Sequence, residues 1–139
     1  MAFTQNVFPT LLRMPRKGLV QILNADGTAQ KLLITAGANG NKVVALIATS
    51  TDTVAQNIQV SIVRNATTLI LATTAVPASA GNAAGTPPVD LLAIIPNLPR
   101  DQDSQPYLFI ESGDTLVVNS GGTVTAGRVV NAHAEHAEF

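Results

Sequence analysis

Residues 57–64 read NIQVSIVR, and this stretch decides the fold class. Ile58, Val60 and Ile62 fall on one side of an extended chain, and Gln59, Ser61 and Val63 on the other, because successive strand side chains point to opposite faces. That alternation predicts a strand with one face against a core. Residues 65–67 then supply a turn into TLILATTAV, residues 68–76, so the two segments are expected to pair as an antiparallel hairpin.

The same pattern extends in both directions. Upstream, KLLIT (31–35) reads as a strand ended by AGANGN (36–41), whose glycines and asparagines suit positive φ. VVALIAT (43–49) is a nearly continuous apolar run and is expected to be buried on both faces. Downstream, YLFIE (107–111) and TLVVN (115–119) flank Ser112, Gly113 and Asp114, a connection that predicts a tight hairpin. Gly121 and Gly122 turn the chain into residues 123–132. PASAGNAAGTPP (77–88) has the composition of a long surface loop, residues 89–95 read as a strand or short helix, and residues 96–106 form a second irregular segment. No internal repeat, heptad or linker interrupts this order. The expectation is an all-β fold: a single-domain β-sandwich of jelly-roll type over residues 18–139, its core spanning about residues 18–132, with a C-terminal tail from about His133.

The first seventeen residues differ in character. Phe3, Val7, Phe8, Leu11, Leu12 and Met14 are interrupted by Pro9 and Pro15 and accompanied by Arg13, Arg16 and Lys17. Two prolines six residues apart disfavour a long helix, so residues 1–17 are expected to be an extended N-terminal arm. Phe3, Phe8, Leu12, Arg13, Arg16 and Lys17 are its candidate partner-binding residues, the apolar ones supplying affinity and the basic ones orientation.

Composition narrows the function. Of 139 residues 46% are hydrophobic but only 4% aromatic, so the core is made of Val, Leu, Ile and Ala. Charged residues are 12%, with eight basic against nine acidic, and nucleic acid is not an expected partner because phosphate binding needs clustered Lys and Arg. So little charge on a soluble domain suggests a surface covered by another protein. The charges are also unevenly placed. Arg13, Arg16, Lys17, Lys31, Lys42 and Arg64 precede most of the acids, which are Asp90, Asp101, Asp103, Glu111, Asp114, Glu135 and Glu138. Cysteine is absent, which removes disulfides and thiolate chemistry. No apolar run reaches the roughly 18 residues of a membrane span, and the first ten residues lack a secretory pattern, so no membrane partner is expected.

Motifs for catalysis are missing. Residues 37–42 end in Lys42-Val43 without the Ser or Thr of a phosphate loop, and no serine stands in a G-x-S-x-G elbow. In HAEHAEF (133–139), His133 and Glu135 share one strand face while His136 and Glu138 share the other, so one chain cannot converge all four on a metal. Three copies of one histidine could still meet on a threefold axis. The acid pairs Asp101/Asp103 and Glu111/Asp114 lack an aromatic-lined cleft and read as turn caps or as charges that keep loops soluble. A non-enzymatic protein with no cofactor and no metal is expected.

The stretches SIVRNATTLILATTAVPASAGN (61–82) and QPYLFIESGDTLVVNSGGTVTAGRVVNAHAEHAEF (105–139), with phrases such as ESGDTL and TAGRV, resemble capsid decoration or cement proteins of tailed phages. The resemblance covers about half the chain. It implies a virion protein on the outer surface of the capsid that binds the major capsid protein, bridges capsomers, and self-associates as a homotrimer at threefold positions. It supplies no catalytic residues. The alternatives are another virion component (tail-tube, head-completion or head-fibre protein), or a carbohydrate-binding β-sandwich in which Tyr107 would stack almost alone.

Overall fold

A computed structural model describes residues 14–139 of the chain. Its described strands are β1 (Met14–Leu23), β2 (Lys31–Thr35), β3 (Asn41–Ser50), β4 (Gln56–Arg64), β5 (Thr67–Val76), β6 (Val89–Asp90), β7 (Leu108–Ile110), β8 (Thr115–Ser120) and β9 (Val129–Glu138), with a short 3-10 turn at Asn24–Asp26. They form two antiparallel sheets. The first runs β1-β9-β3, with β6 and β7 both on the far side of β3; the second runs β2-β8-β4-β5.

The hairpin read from residues 57–76 is present. β4 and β5 pair from Arg64↔Thr67 to Gln56↔Val76, and the two-residue turn has Asn65 and Ala66 both at positive φ, the conformation whose twist matches that of the flanking strands. Ile58 and Val60 of β4 are fully buried, beside Leu116 and Val118 of β8. Facing them are Ile22 of β1, Val43, Leu46 and Ala48 of β3, and Val130, Ala132 and Ala134 of β9. The buried hydrophobic residues are all Ile, Leu, Val and Ala; none is aromatic. Each Val, Leu or Ile so enclosed contributes roughly 1.5–3 kcal/mol. Small residues let the sheets approach. A Cβ on Gly18 of β1 would lie 2.4 Å from the Leu33 carbonyl oxygen, so only glycine fits where β1 crosses β2.

Several expectations change. Residues 14–17, assigned above to an arm, form the start of β1, because their backbone finds ladder partners from Glu138 to Glu135. Residues 133–138 are not a tail. β9 continues to Glu138 between β1 and β3, with Val130, Ala132 and Ala134 turned to the core and His136 following them on the same face. β3 is not buried on both faces: the register shift between Val43 and Ala45 leaves Val44 exposed, and Ala45 and Ile47 are only partly covered. β7 and β8 do not pair. Their connection carries the chain from the first sheet to the second, with the Asp114 carboxylate accepting the Glu111 N–H at 3.0 Å and Gly113 at φ 92°. Residues 89–95 form a strand only at Val89–Asp90, where the Asp90 carboxylate takes the Leu92 and Ala93 N–H groups and turns the chain away.

One end of the sandwich is closed by a buried carboxylate. Asp52, with no exposed surface, accepts from the Val54 N–H (3.2 Å), the Gln56 amide (2.8 Å) and the Thr125 N–H (3.0 Å), so a single side chain ties the β3–β4 loop to the β8–β9 loop. Burial alone would raise its pKa, but hydrogen bonds from Thr125, Gln56 and Val54 outweigh burial and hold the carboxyl far below the ordinary range. Because the folded-state pKa is depressed, this stabilisation is present above the unfolded pKa of about 3.9 and is lost as pH falls below it. Asp52→Ala is expected to destabilise the fold by on the order of 3 kcal/mol at neutral pH, since three donors lose a charged acceptor. Urea unfolding at a series of pH values checks this: the gap between wild type and variant should narrow progressively below about pH 4.

Candidate functional site

At the opposite end, the start of β1, the end of β9, the β4–β5 turn and the β7–β8 connection converge. All three aromatic residues among those described, Tyr107, Phe109 and Phe139, lie here and none is in the core. The Phe109 and Phe139 rings are 5.7 Å apart between centroids. Gly40 makes room for this pair. A Cβ there would sit 2.6 Å from the Phe109 ring, and its φ of +82° disfavours any other residue. The Lys42 ammonium lies 4.7 Å from the centre of the Tyr107 ring and 3.7 Å from Asp101.

Phe109, 42% exposed, and Leu69, 61% exposed, line a groove of about 460 Å³ together with Ile62. The polar wall of this groove is an ion cluster. Arg64 reaches both oxygens of Asp114, through Nε to Oδ1 and through a terminal nitrogen to Oδ2 at 2.9 Å, and it donates to Glu111 at 2.9 Å. The Arg64 hydrogen bond holds the nearly buried Asp114 carboxyl below the usual range against the opposing effect of burial. Such a bidentate pair fixes the guanidinium in one orientation. Arg64 thus presents oriented charge beside the exposed side chains of Leu69 and Phe109.

Asp101 caps its own turn, accepting from the Asp103 and Gln105 N–H groups at 2.9 Å each. Those bonds, that from Gln105 first, lower its pKa. The turn-capping role read from the sequence therefore holds for Asp101 and Asp114, whereas Glu111 serves the Arg64 cluster.

Of the arm residues singled out above, Phe3, Phe8, Leu12 and Arg13 lie outside the described residues. Arg16 and Lys17 are consecutive on β1 and turn to opposite faces; Arg16 stands 3.7 Å from Glu138 and Lys17 3.4 Å from Glu135. The two histidines are separated in the same way. His133 is on the outer face between Leu19 and Ile47, and His136 is on the inner face. Among the described residues no group of three or more His, Cys, Asp or Glu could hold a metal ion. Sequence reasoning missed Leu69, Phe109 and Phe139. The spacing of Tyr107 and Phe109, two residues apart on one strand face, was the available signal for this end.

No family model, no curated protein and no solved structure matches the chain.

His136 anchors the interior of this end. It is 7% exposed, and its Nδ1 accepts from the Asn41 amide at 2.9 Å, the arrangement of a neutral imidazole. The Asn41 Oδ1 in turn accepts the Gly37 N–H at 2.7 Å, so the ring orients the β2–β3 loop. Burial lowers the His136 pKa, the Arg16 charge lowers it further, and Glu138 partly offsets both. A depressed folded-state pKa means that stability is full above the unfolded value of about 6.5 and falls as pH drops below it. Thermal melts of wild type between pH 7 and pH 5 should show a falling Tm, and His136→Gln should flatten that slope while leaving the Asp52-dependent loss at lower pH unchanged.

Proposed function

We propose that this chain is a non-enzymatic virion structural protein that binds the outer surface of a phage capsid and stabilises contacts between capsomers. The observation that carries the reading is the segregation of aromatic residues. A core filled by aliphatics leaves Tyr107, Phe109 and Phe139 at one end, beside the point where β1 begins and residues 1–13, with Phe3 and Phe8, join the fold. Low charge over the whole chain and the phage-like phrases in residues 61–82 and 105–139 support the same reading. A jelly-roll interpretation of the strand orders β1-β9-β3-β6/β7 and β2-β8-β4-β5 is compatible with it, an arrangement that viral capsid domains share with lectin domains.

In this account the aromatic end faces the shell. Phe3, Phe8 and Leu12 enter apolar pockets of the major capsid protein, and Phe109 and Leu69 widen the contact. Burying one such side chain contributes roughly 1.5–3 kcal/mol, against about 0–1 kcal/mol for a rim ion pair, so apolar residues dominate the affinity. Arg16 and Lys17, which stand beside Glu138 and Glu135, guide the orientation of docking more than they add to its affinity. Self-association as a homotrimer at threefold positions would multiply the contacts made per particle.

A carbohydrate-binding role is less well supported. The one tyrosine has a lysine ammonium against its ring, leaving Phe109 as the main free stacking surface. The test uses empty expanded shells of the cognate major capsid protein. Deleting residues 2–13, which leaves β1 intact, should reduce occupancy at least as strongly as Phe3→Ala with Phe8→Ala. Leu69→Ala with Phe109→Ala should reduce it further, and Lys17→Ala should change it little. Unchanged occupancy for the deletion and for the Leu69/Phe109 variant would refute the reading, and saturable binding to isolated oligosaccharides would favour the lectin.

A further inference from the structure

β5 ends the second sheet, and among the described residues it is hydrogen-bonded through its β4 side alone. A free edge presents a row of N–H and C=O groups to any strand that meets it, and proteins block such edges with proline, charge or brevity. The other edges here are blocked in those ways. β1 carries Pro15, Arg16 and Lys17, β2 has five residues beginning with Lys31, and β6 and β7 have two and three residues. β5 has ten residues and no proline, and no charged residue occurs between Arg64 and Asp90. Its one blunting device is a bulge, where the register shifts between Val60 and Ser61 of β4 and Leu71 becomes the extra residue. Leu69 and Ile70 remain 61% and 55% exposed.

The order of side chains selects the occupant. Residues 67–74 read TTLILATT, and in reverse TTALILTT, so threonine pairs bracket an aliphatic centre in both directions. Two copies laid antiparallel about an axis near Ile70 and Leu71 set threonine against threonine and aliphatic against aliphatic. No like charges meet. A twofold contact requires a patch that complements itself, and this strand meets that requirement.

We infer that β5 pairs with β5 of a second copy, joining two four-stranded sheets into one continuous sheet across a twofold axis. This contact goes beyond the capsid reading and does not depend on it. On a shell it links neighbouring copies laterally, in addition to any threefold cluster.

Light scattering of the full chain tests it with charge-reversal variants. Ile70 is well exposed opposite Ser61, so Ile70→Lys and Ile70→Glu should fold as wild type does, which circular dichroism checks. Each variant alone brings like charges together beside the axis and should lose the twofold contact, halving the mass of the linked species; mixing the two should restore it. The chain has no cysteine, so Ile70→Cys provides a single reporter, expected to form an interchain disulfide on mild oxidation while Leu32→Cys on the opposite edge does not. The inference is overturned if Ile70→Lys leaves the mass unchanged and Ile70→Cys cross-links no faster than Leu32→Cys, or if Ile70→Cys links only to a different protein. Shell occupancy, measured on the same variants, scores the capsid reading separately.

Discussion

The structure depends on one steric constraint, the narrow inner face of β9. Ala132 and Ala134 lie at the centre of the first sheet, with Gly18 of β1 and Leu46 and Ala48 of β3 as their ladder neighbours. Ala132, Ala134, Gly18 and Ala48 leave little bulk on this face, and the branched aliphatics Ile58, Val60, Leu116 and Val118 of the other sheet fill the core against them. The aromatic residues among those described lie at one end of the sandwich, where Phe109 is exposed and Tyr107 and Phe139 are partly covered.

The two ends are built by different physics. The Asp52 end is closed by donors converging on a buried carboxylate, a polar seal that holds loops in place and exposes little apolar area. The aromatic end is held by His136 and Asn41 within and by Arg64, Asp114 and Glu111 at the rim, and it leaves Leu69 and Phe109 uncovered. The uneven distribution of charge along the chain also acquires a meaning. Arg16, Lys17, Lys42 and Arg64 from the first half pair with Glu138, Glu135, Asp101, Glu111 and Asp114 from the second. The exposed pairs of Arg16 and Lys17 add little stability and mainly set register between distant segments, whereas the Arg64–Asp114 pair has a nearly buried carboxylate and two hydrogen bonds.

Strand periodicity was legible where one face of a strand meets the core and the other does not, as over residues 56–60 of β4, because period-two alternation is the direct imprint of that environment; β5 followed from the turn that joins it to β4. The same logic failed at β9. HAEHAE repeats every three residues rather than every two, and in sequence such a strand looks like a tail, since alanine carries little hydrophobic signal even when buried as Ala134 is. Pairing between sheets was equally hidden. The Ser112–Asp114 connection has hairpin chemistry locally, and only the positions of β3 and β4 decide that β7 joins one sheet and β8 the other. The aromatic end was partly legible: Tyr107 and Phe109 announce a shared face, but Phe139 and Leu69 come to it from remote parts of the chain, through β9 and through the β4–β5 hairpin.

The central claim is directional: the aromatic end is the binding end. A cryo-EM reconstruction of decorated shells, at a resolution sufficient to orient the two sheets, tests it most directly. The account predicts that Tyr107, Phe109 and Phe139 face the capsid, with density for residues 1–13 continuing from β1 into the shell, while Asp52 and Thr125 point to solvent. A reconstruction in which the Asp52 end meets the capsid and the phenylalanines stand free in solvent would contradict it.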